Sequence, residues 1–208
     1  MPNKATDWTA YYSKVPRYTG VARRISQNKI IRHIEALFGD QVFSICELGG
    51  GNSFIVDELM QRFDLSKYHI IDNNQLGLDL LKAKNFDNLT YENADVLNDT
   101  EVGQEYDLVF SVGLIEHFDP DNTARAIQNH FIRCKPGGYV LITYPTPTLL
   151  YRLIRGMAEL LGIWKFHDER PLRYLEVSEV MKAYGQLTHH SINWWIGLTQ
   201  GYIIARKN

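Results

Sequence analysis

The chain has 208 residues, 45% of them hydrophobic and 22% charged, with a formal net charge of −2. That length suits one domain with a sizeable core, and the mix belongs to globular chains rather than disordered ones. The charge balance leaves no basic footprint for nucleic acid, no signal peptide opens the chain, and no run of about 18 apolar residues marks a membrane span.

The chain begins with an aromatic segment. Trp8, Tyr11, Tyr12 and Tyr18 fall close together ahead of an expected helix over residues 25–38. Residues 1–38 read as an N-terminal flap and helix, closing over a ligand or simply packing on the domain. Residues 42–46 (VFSIC) form a short apolar run, expected as a buried strand. Cys46 here and Cys134 further on read as reduced core thiols, which points to the cytoplasm. Next comes Glu47-Leu48-Gly49-Gly50-Gly51-Asn52-Ser53, and residues 54–63 read as a helix. Glycines let the backbone turn tightly and approach a ligand with no Cβ in the way. The helix behind them offers unpaired N–H groups. The segment reads as a cofactor cradle. The dinucleotide fingerprint G-x-G-x-x-G needs a third glycine, but counting from Gly49 puts Phe54 there, which argues against NAD or FAD. Glu47 argues the same way, because a carboxylate repels a pyrophosphate and attracts a cationic amino-acid group.

Residues 68–72 read as a second strand ending in Asp72, 21 residues after Gly51. Near this spacing a second-strand acid meets ribose hydroxyls, and a carboxylate accepts two such bonds. Asp72 alone would also suit a helix cap. Asn73 follows. A third strand, residues 89–96, ends near Asp95 and Val96; Asp95 alone would suit a turn. A fourth, residues 106–113, carries Ser111 and Gly113 and leads into Leu114-Ile115-Glu116-His117-Phe118. Pro136-Gly137-Gly138 is expected to stop a helix before a fifth strand over 139–144. Residues 187–195 and 201–206 read as the last two strands. So short a link between them permits only antiparallel pairing.

Taken together, these motifs resemble the class I S-adenosylmethionine (SAM) methyltransferases. Glu47-Leu-Gly49-Gly-Gly51-Asn-Ser53 is similar to motif I of that family, (D/E)-x-G-x-G-x-G, with Ser53 in place of the last glycine. Glu116-His117 resembles its "EH" pair after strand four, and Lys135-Pro136-Gly137-Gly138 resembles the turn before its fifth strand. The resemblance covers about residues 40–145 and extends through the last two strands. It implies an α/β fold: a seven-stranded, doubly wound, Rossmann-like sheet with an antiparallel last strand and a helical insertion after strand five. Residues 39–208 would form the SAM-binding domain, and residues 145–174 would roof the substrate. Glu47, Gly49 and Gly51 would cradle SAM, Asp72 and Asn73 would hold its ribose, and Asp95 and Val96 would meet the adenine. Ser111 and Gly113 would close the site at the end of strand four.

The acceptor must be read from the surroundings. In the roof, Leu149, Leu150, Leu153, Ile154, Met157, Leu160 and Leu161 share one broad helical face. It reads as a core or dimer helix, so a homodimer is one expectation; an interfacial membrane helix would want more lysines. After it, Asp168, Glu169, Arg170 and Arg173 would suit an amphipathic or phosphorylated acceptor. His117 and His167 are the candidate bases if the acceptor must lose a proton. His189 and His190 receive no role. A DNA base is disfavoured, because (N/D)-P-P-(Y/F) is absent after strand four. No metal is expected, since Asp119 and Asp121 make a poor ligand set. The expected function is methyl transfer to oxygen or nitrogen of a small molecule (a metabolite, sugar or lipid-linked intermediate). A non-catalytic SAM-binding regulatory or partner subunit is the alternative, and a nicotinamide oxidoreductase a further rival.

Overall fold

A computed structural model describes residues 5–13, 20–98 and 104–208. Residues 14–18 of the aromatic segment, Tyr18 among them, lie outside the described residues. Seven strands form one sheet: β1 (Phe43–Leu48), β2 (Leu65–Asp72), β3 (Leu89–Asn93), β4 (Tyr106–Val112), β5 (Cys134–Pro145), β6 (Gly185–Asn193) and β7 (Gln200–Lys207). Their order is β3-β2-β1-β4-β5-β7-β6. β7 runs antiparallel to both neighbours, and the other pairings are parallel. The expected fold is therefore present. Every residue of β1 is buried, as suits a central strand covered on both faces.

The helices are α1 (Trp8–Ser13), α2 (Gly20–Phe38), α3 (Val56–Arg62), α4 (Gln75–Lys82), α5 (Pro120–Ile132), α6 (Leu149–Leu160) and α7 (Tyr174–Lys182). Strand side chains alternate between two cores. Ile45, Leu108 and Phe110 pack with Ile34, Leu59 and Leu78 of α2, α3 and α4. Cys46, Val109 and Ile142 pack with Ile127, Phe131 and Met181 of α5 and α7. Caps fix where helices begin. Asn74 accepts from Gly77 N–H at 3.0 Å ahead of α4, and Asp119 accepts from Asn122 N–H at 2.9 Å ahead of α5, where Pro120 takes the first turn.

Three expectations shift. Pro136-Gly137-Gly138 does not stop the helix, which ends at Ile132; it lies inside β5, where the register against β4 jumps. A Cβ on Gly138 would sit 2.9 Å from the Asp107 carbonyl, so glycine permits the close approach of that bulge. Trp194 and Trp195 belong to the β6–β7 connection rather than to β6, and both are exposed. The apolar face of α6 is not core: Leu149, Leu153 and Leu160 are exposed, and Tyr151 is the helix's buried residue. No helix among the described residues is long and apolar enough to cross a membrane.

Candidate active site

The strand order reverses between β1 and β4, and crevices form at the carboxyl ends of strands beside such a point. A cavity of about 310 Å³ lies there, lined by the loops after β1, β2, β3 and β4. Its floor is the glycine loop. Gly49 has φ +69°, and a Cβ on it would fall 2.6 Å from the Leu114 side chain. A Cβ on Gly51 would fall 2.8 Å from the Asp72 carboxylate. Space thus requires glycine at both positions, and at Gly49 the dihedral angle does as well.

Two buried carboxyls hold that loop. Asp72 accepts from the N–H of Gly51 at 2.7 Å and from the N–H of Asn74 at 2.7 Å. Burial raises its pKa and those two N–H groups oppose the rise. Glu47 is 3% exposed. Its oxygens accept from Ser53 Oγ at 3.0 Å and Tyr68 OH at 2.5 Å. Burial pushes its pKa up to about 7 against the pull of both hydroxyls. Ser53, the departure from the all-glycine motif, is therefore a positive feature, because glycine would have no hydroxyl for Glu47. Asn73, Asp95 and Val96 line the wall beyond. One Asp95 oxygen accepts from Leu97 N–H at 2.9 Å.

Opposite them lies a second polar group. β4 ends at Val112, Gly113 follows with φ +67°, and a short 3-10 turn over Ile115–His117 comes next. His117 Nδ1 meets Asp168 Oδ1 at 2.9 Å. Asp168 also accepts from the N–H of Thr6 at 2.9 Å and from the Thr6 hydroxyl. Burial opposes charge on His117, but the Asp168 bond and the nearby carboxylates outweigh it and raise its pKa. Burial would raise the Asp168 pKa, yet the His117 and Thr6 bonds hold it far below the usual carboxylate range. Glu116 is 2% exposed and its Oε2 has no hydrogen-bond partner. Burial, with Glu169 adding to it, pushes its pKa up to about 8. Ligand atoms of Glu116, His117 and Glu169 lie within 4.8 Å of one another. Rings of Trp8, Tyr11 and Phe166 cover this end, with Trp8 4.9 Å from His117 between centroids, while Tyr12 packs by Gly77 at the Asp72 end.

Residues 45–138 match the family model of a methyltransferase domain. Over that stretch, a little under half of its length, the chain is similar to methyltransferase domains. A comparison with curated protein sequences gives no match. Solved structures share the fold at low identity. The N-methyltransferase NodS from Bradyrhizobium japonicum WM9, with S-adenosylhomocysteine (SAH) bound, is 12% identical over 88% of this chain and 86% of its own, with TM-score 0.67. Magnesium protoporphyrin IX methyltransferase from Synechocystis PCC 6803, also with SAH, is 11% identical over 97% and 93%, with TM-score 0.73. A chain from the complex of the Haloferax volcanii Trm112 methyltransferase activator with a methyltransferase is 10% identical over 98% and 99%, with TM-score 0.72.

The donor set of the cavity fits SAM. Asp72 and Asn73 would present acceptors to a ribose diol, Asp95 and Val96 an edge to adenine, and the glycine loop with Gly113 a cradle to the methionyl part, all of them lining the cavity. Of the cofactor residues expected from sequence, Glu47, Gly49, Gly51, Asp72, Asn73, Asp95, Val96 and Gly113 line this one cavity. Ser111 does not: it is fully buried, and its hydroxyl meets His130 Nε2 at 2.9 Å. Strand alternation turns its side chain toward α5, away from the ligand. His167 does not either; it is exposed and points away from the cavity that its neighbours Phe166 and Glu169 line. Arg170 is committed to structure, donating to the Glu116 carbonyl at 2.8 Å and to Glu176 and Thr123 at 2.6 and 3.0 Å. Arg173 is exposed at the start of α7. Sequence reasoning missed Arg23, the one Lys or Arg on the cavity wall among the described residues. It bonds Tyr11 OH at 2.8 Å and packs on the Phe54 ring. Its only sequence signal was its place after the aromatic segment.

Proposed function

We propose that this domain moves a methyl group from SAM to oxygen or nitrogen of a small molecule that enters beside Glu116 and His117. The carrying observation is the continuity of the cavity: one 310 Å³ space runs from the glycine loop and Asp72 to an aromatic-walled end holding His117. Its size lies at the lower end of ligand pockets, about 300–1,000 Å³, which favours a compact acceptor. SAM supplies a methyl on a positively charged sulfur, already a good leaving group, so much of the rate comes from positioning. Asp72 and Asp95 fix one end of the donor, and the glycine loop lets its backbone come close. Trp8 and Tyr11 of α1 exclude water from the other end, which supports the flap reading of the N-terminal segment. Arg23 provides a cation for the methionyl carboxylate. His117, held by Asp168, orients the acceptor.

The test is calorimetry with SAH, followed by turnover with labelled SAM and a panel of small nucleophiles. SAH binding with methyl transfer to a panel member is the expected result. Failure to bind SAH refutes the reading, and SAH binding with no turnover on any acceptor favours the regulatory subunit. The exposed α6 face and Trp195, 88% exposed, support pairing with a second copy. Sedimentation would show a dimer, and Leu153→Glu would dissociate it. Cys46 and Cys134 are buried and form no disulfide, which supports a cytoplasmic setting.

A further inference from the structure

The acceptor end of the cavity holds a carboxyl without a partner. Three carboxyls gather there: Glu116, Asp168 and Glu169. Two cations face them, His117 at 2.9 Å from Asp168 and Arg155 at 3.9 Å from Glu169. The pairings are unequal. Asp168 is satisfied by His117 and by Thr6. Glu169 is satisfied by the Tyr151 hydroxyl, with Arg155 behind. Glu116 has neither partner: its Oε2 is buried without a hydrogen bond, and Arg170 reaches its backbone carbonyl instead. A buried carboxyl left so is costly unless a ligand completes it.

Around it the wall is aromatic. Trp8, Phe118 and Phe166 line the same end as Glu116. Ring faces attract cations, by about 0.5–2 kcal/mol when desolvated. A hydroxyl would satisfy the open oxygen but would not offset the charge of Glu116 in its ionised form. An ammonium does both.

From this geometry we infer that the acceptor is a compact amine, bound as its ammonium with Glu116 as the counter-ion inside the aromatic wall. The inference rests on the methyltransferase reading and narrows its acceptor. Glu116 also has a place in the proton balance. An ammonium has no lone pair, so an N–H bond must break before nitrogen can take a methyl. The proton moves to Glu116 Oε2, forming an O–H bond and leaving a neutral amine beside a neutral carboxyl. The raised pKa of Glu116 suits that exchange near neutral pH. His117 is less suited, because its Nδ1 is already engaged by Asp168 at 2.9 Å. A divalent cation is the other occupant of such a cluster. It would have to displace the Glu169 contacts with Tyr151 and Arg155 and the His117 contact with Asp168.

The test uses the full chain saturated with SAH. Benzylamine, phenethylamine and butylamine are titrated by calorimetry, each beside its isosteric alcohol, on wild type and on Glu116→Gln. At least one amine should bind about tenfold tighter than its alcohol, a difference of about 1.4 kcal/mol, and Glu116→Gln should remove that preference while SAH affinity changes less than about twofold. Equal or tighter binding of every alcohol overturns the inference, as does SAH binding with no affinity for any amine, or a preference that survives in Glu116→Gln. Tight Mn²⁺ binding lost in Glu116→Gln would assign the cluster to a metal and overturn it too. No SAH binding in wild type would sink the methyltransferase reading, and this inference with it. SAH binding without amine preference sinks the inference alone.

Discussion

Glu116→Gln should stabilise the unliganded protein at alkaline pH. The Glu116 carboxyl is 2% exposed, and burial lifts its pKa from 4.5 to about 8, with Glu169 adding and His117 opposing. A carboxyl whose folded pKa exceeds its unfolded value favours the protonated folded state. Its contribution is whole below 4.5 and is lost as pH rises through about 8. At about 1.4 kcal/mol per pKa unit, that interval amounts to about 5 kcal/mol. Relaxation and water entry into the cavity reduce it, so roughly 2–5 kcal/mol is expected. The groups facing Glu116 are His117, Asp168 and Glu169, with Tyr151 and Arg155 behind Glu169 and the Arg170 N–H on the Glu116 carbonyl. All of them stay in the variant. Glutamine has no charge to bury at any pH, but its amide inherits the unpartnered position. Urea unfolding at about pH 5, 7 and 9 should show variant and wild type within roughly 1 kcal/mol at the lowest pH, diverging in favour of the variant as pH rises. A variant less stable than wild type at about pH 9, or a difference that does not grow with pH, would refute the reasoning.

Other perturbations separate the remaining groups. Gly51→Ala places a Cβ 2.8 Å from the Asp72 carboxylate. Overpacking of this kind costs about 1–3 kcal/mol, so SAH affinity measured by calorimetry should fall about tenfold or more; unchanged affinity would show that the loop adapts. Asp168→Asn removes the main group charging His117, so the His117 NMR titration midpoint should drop. His117 charge favours the folded state below that midpoint and is lost above it, and an unmoved midpoint would contradict the pairing. His167→Ala should leave SAH affinity and turnover within about twofold of wild type, since a surface substitution away from special contacts is nearly neutral. A large loss of turnover would return His167 to the list of candidate bases.

The sheet was legible because its signals are local. Apolar runs of strand length recur between polar turns, and the short link before β7 forces an antiparallel return. The ends slipped where local signals mislead. Trp194 and Trp195 carry strand-forming side chains, yet they fall in a connection. Pro136-Gly137-Gly138 has the chemistry of a helix stop, but it forms a bulge, because the decisive contact is Asp107 on the neighbouring strand. In the site, Asp72 and Asp95 could be placed by spacing, since Asp72 ends β2 and Asp95 lies two residues past the end of β3. Ser111 was misplaced because its partner, His130, is 19 residues away on α5. His167 and Asp168 are adjacent, and a loop without periodicity gives no means of choosing which one turns inward. Arg170 looked free for an acceptor only because Glu176, Thr123 and the Glu116 carbonyl could not be seen around it.

Glu47, Asp72 and Glu116, three of the buried carboxyls on one cavity wall, show why residue type alone does not assign a role. Glu47 has both oxygens taken, by Ser53 and Tyr68, and Asp72 has one N–H on each oxygen. Both carboxyls therefore fix the loop first, and any ligand they meet uses the lone pairs left over. Glu116 is as deeply buried, but it has an oxygen with no partner. Folding gains nothing from such a group, since a buried polar atom without a hydrogen bond costs about 1–3 kcal/mol. The cost is recovered only in the liganded state, where an incoming donor meets the open oxygen. Tyr68→Phe gives the converse case. It strips one bond from Glu47 and should lift the Glu47 pKa further above 7, because the Tyr68 hydroxyl is the first of the groups that oppose burial there. The unliganded variant should then lose stability more steeply than wild type as pH rises through neutrality. A pH profile identical to wild type would mean that the Tyr68 hydroxyl does not hold the Glu47 charge.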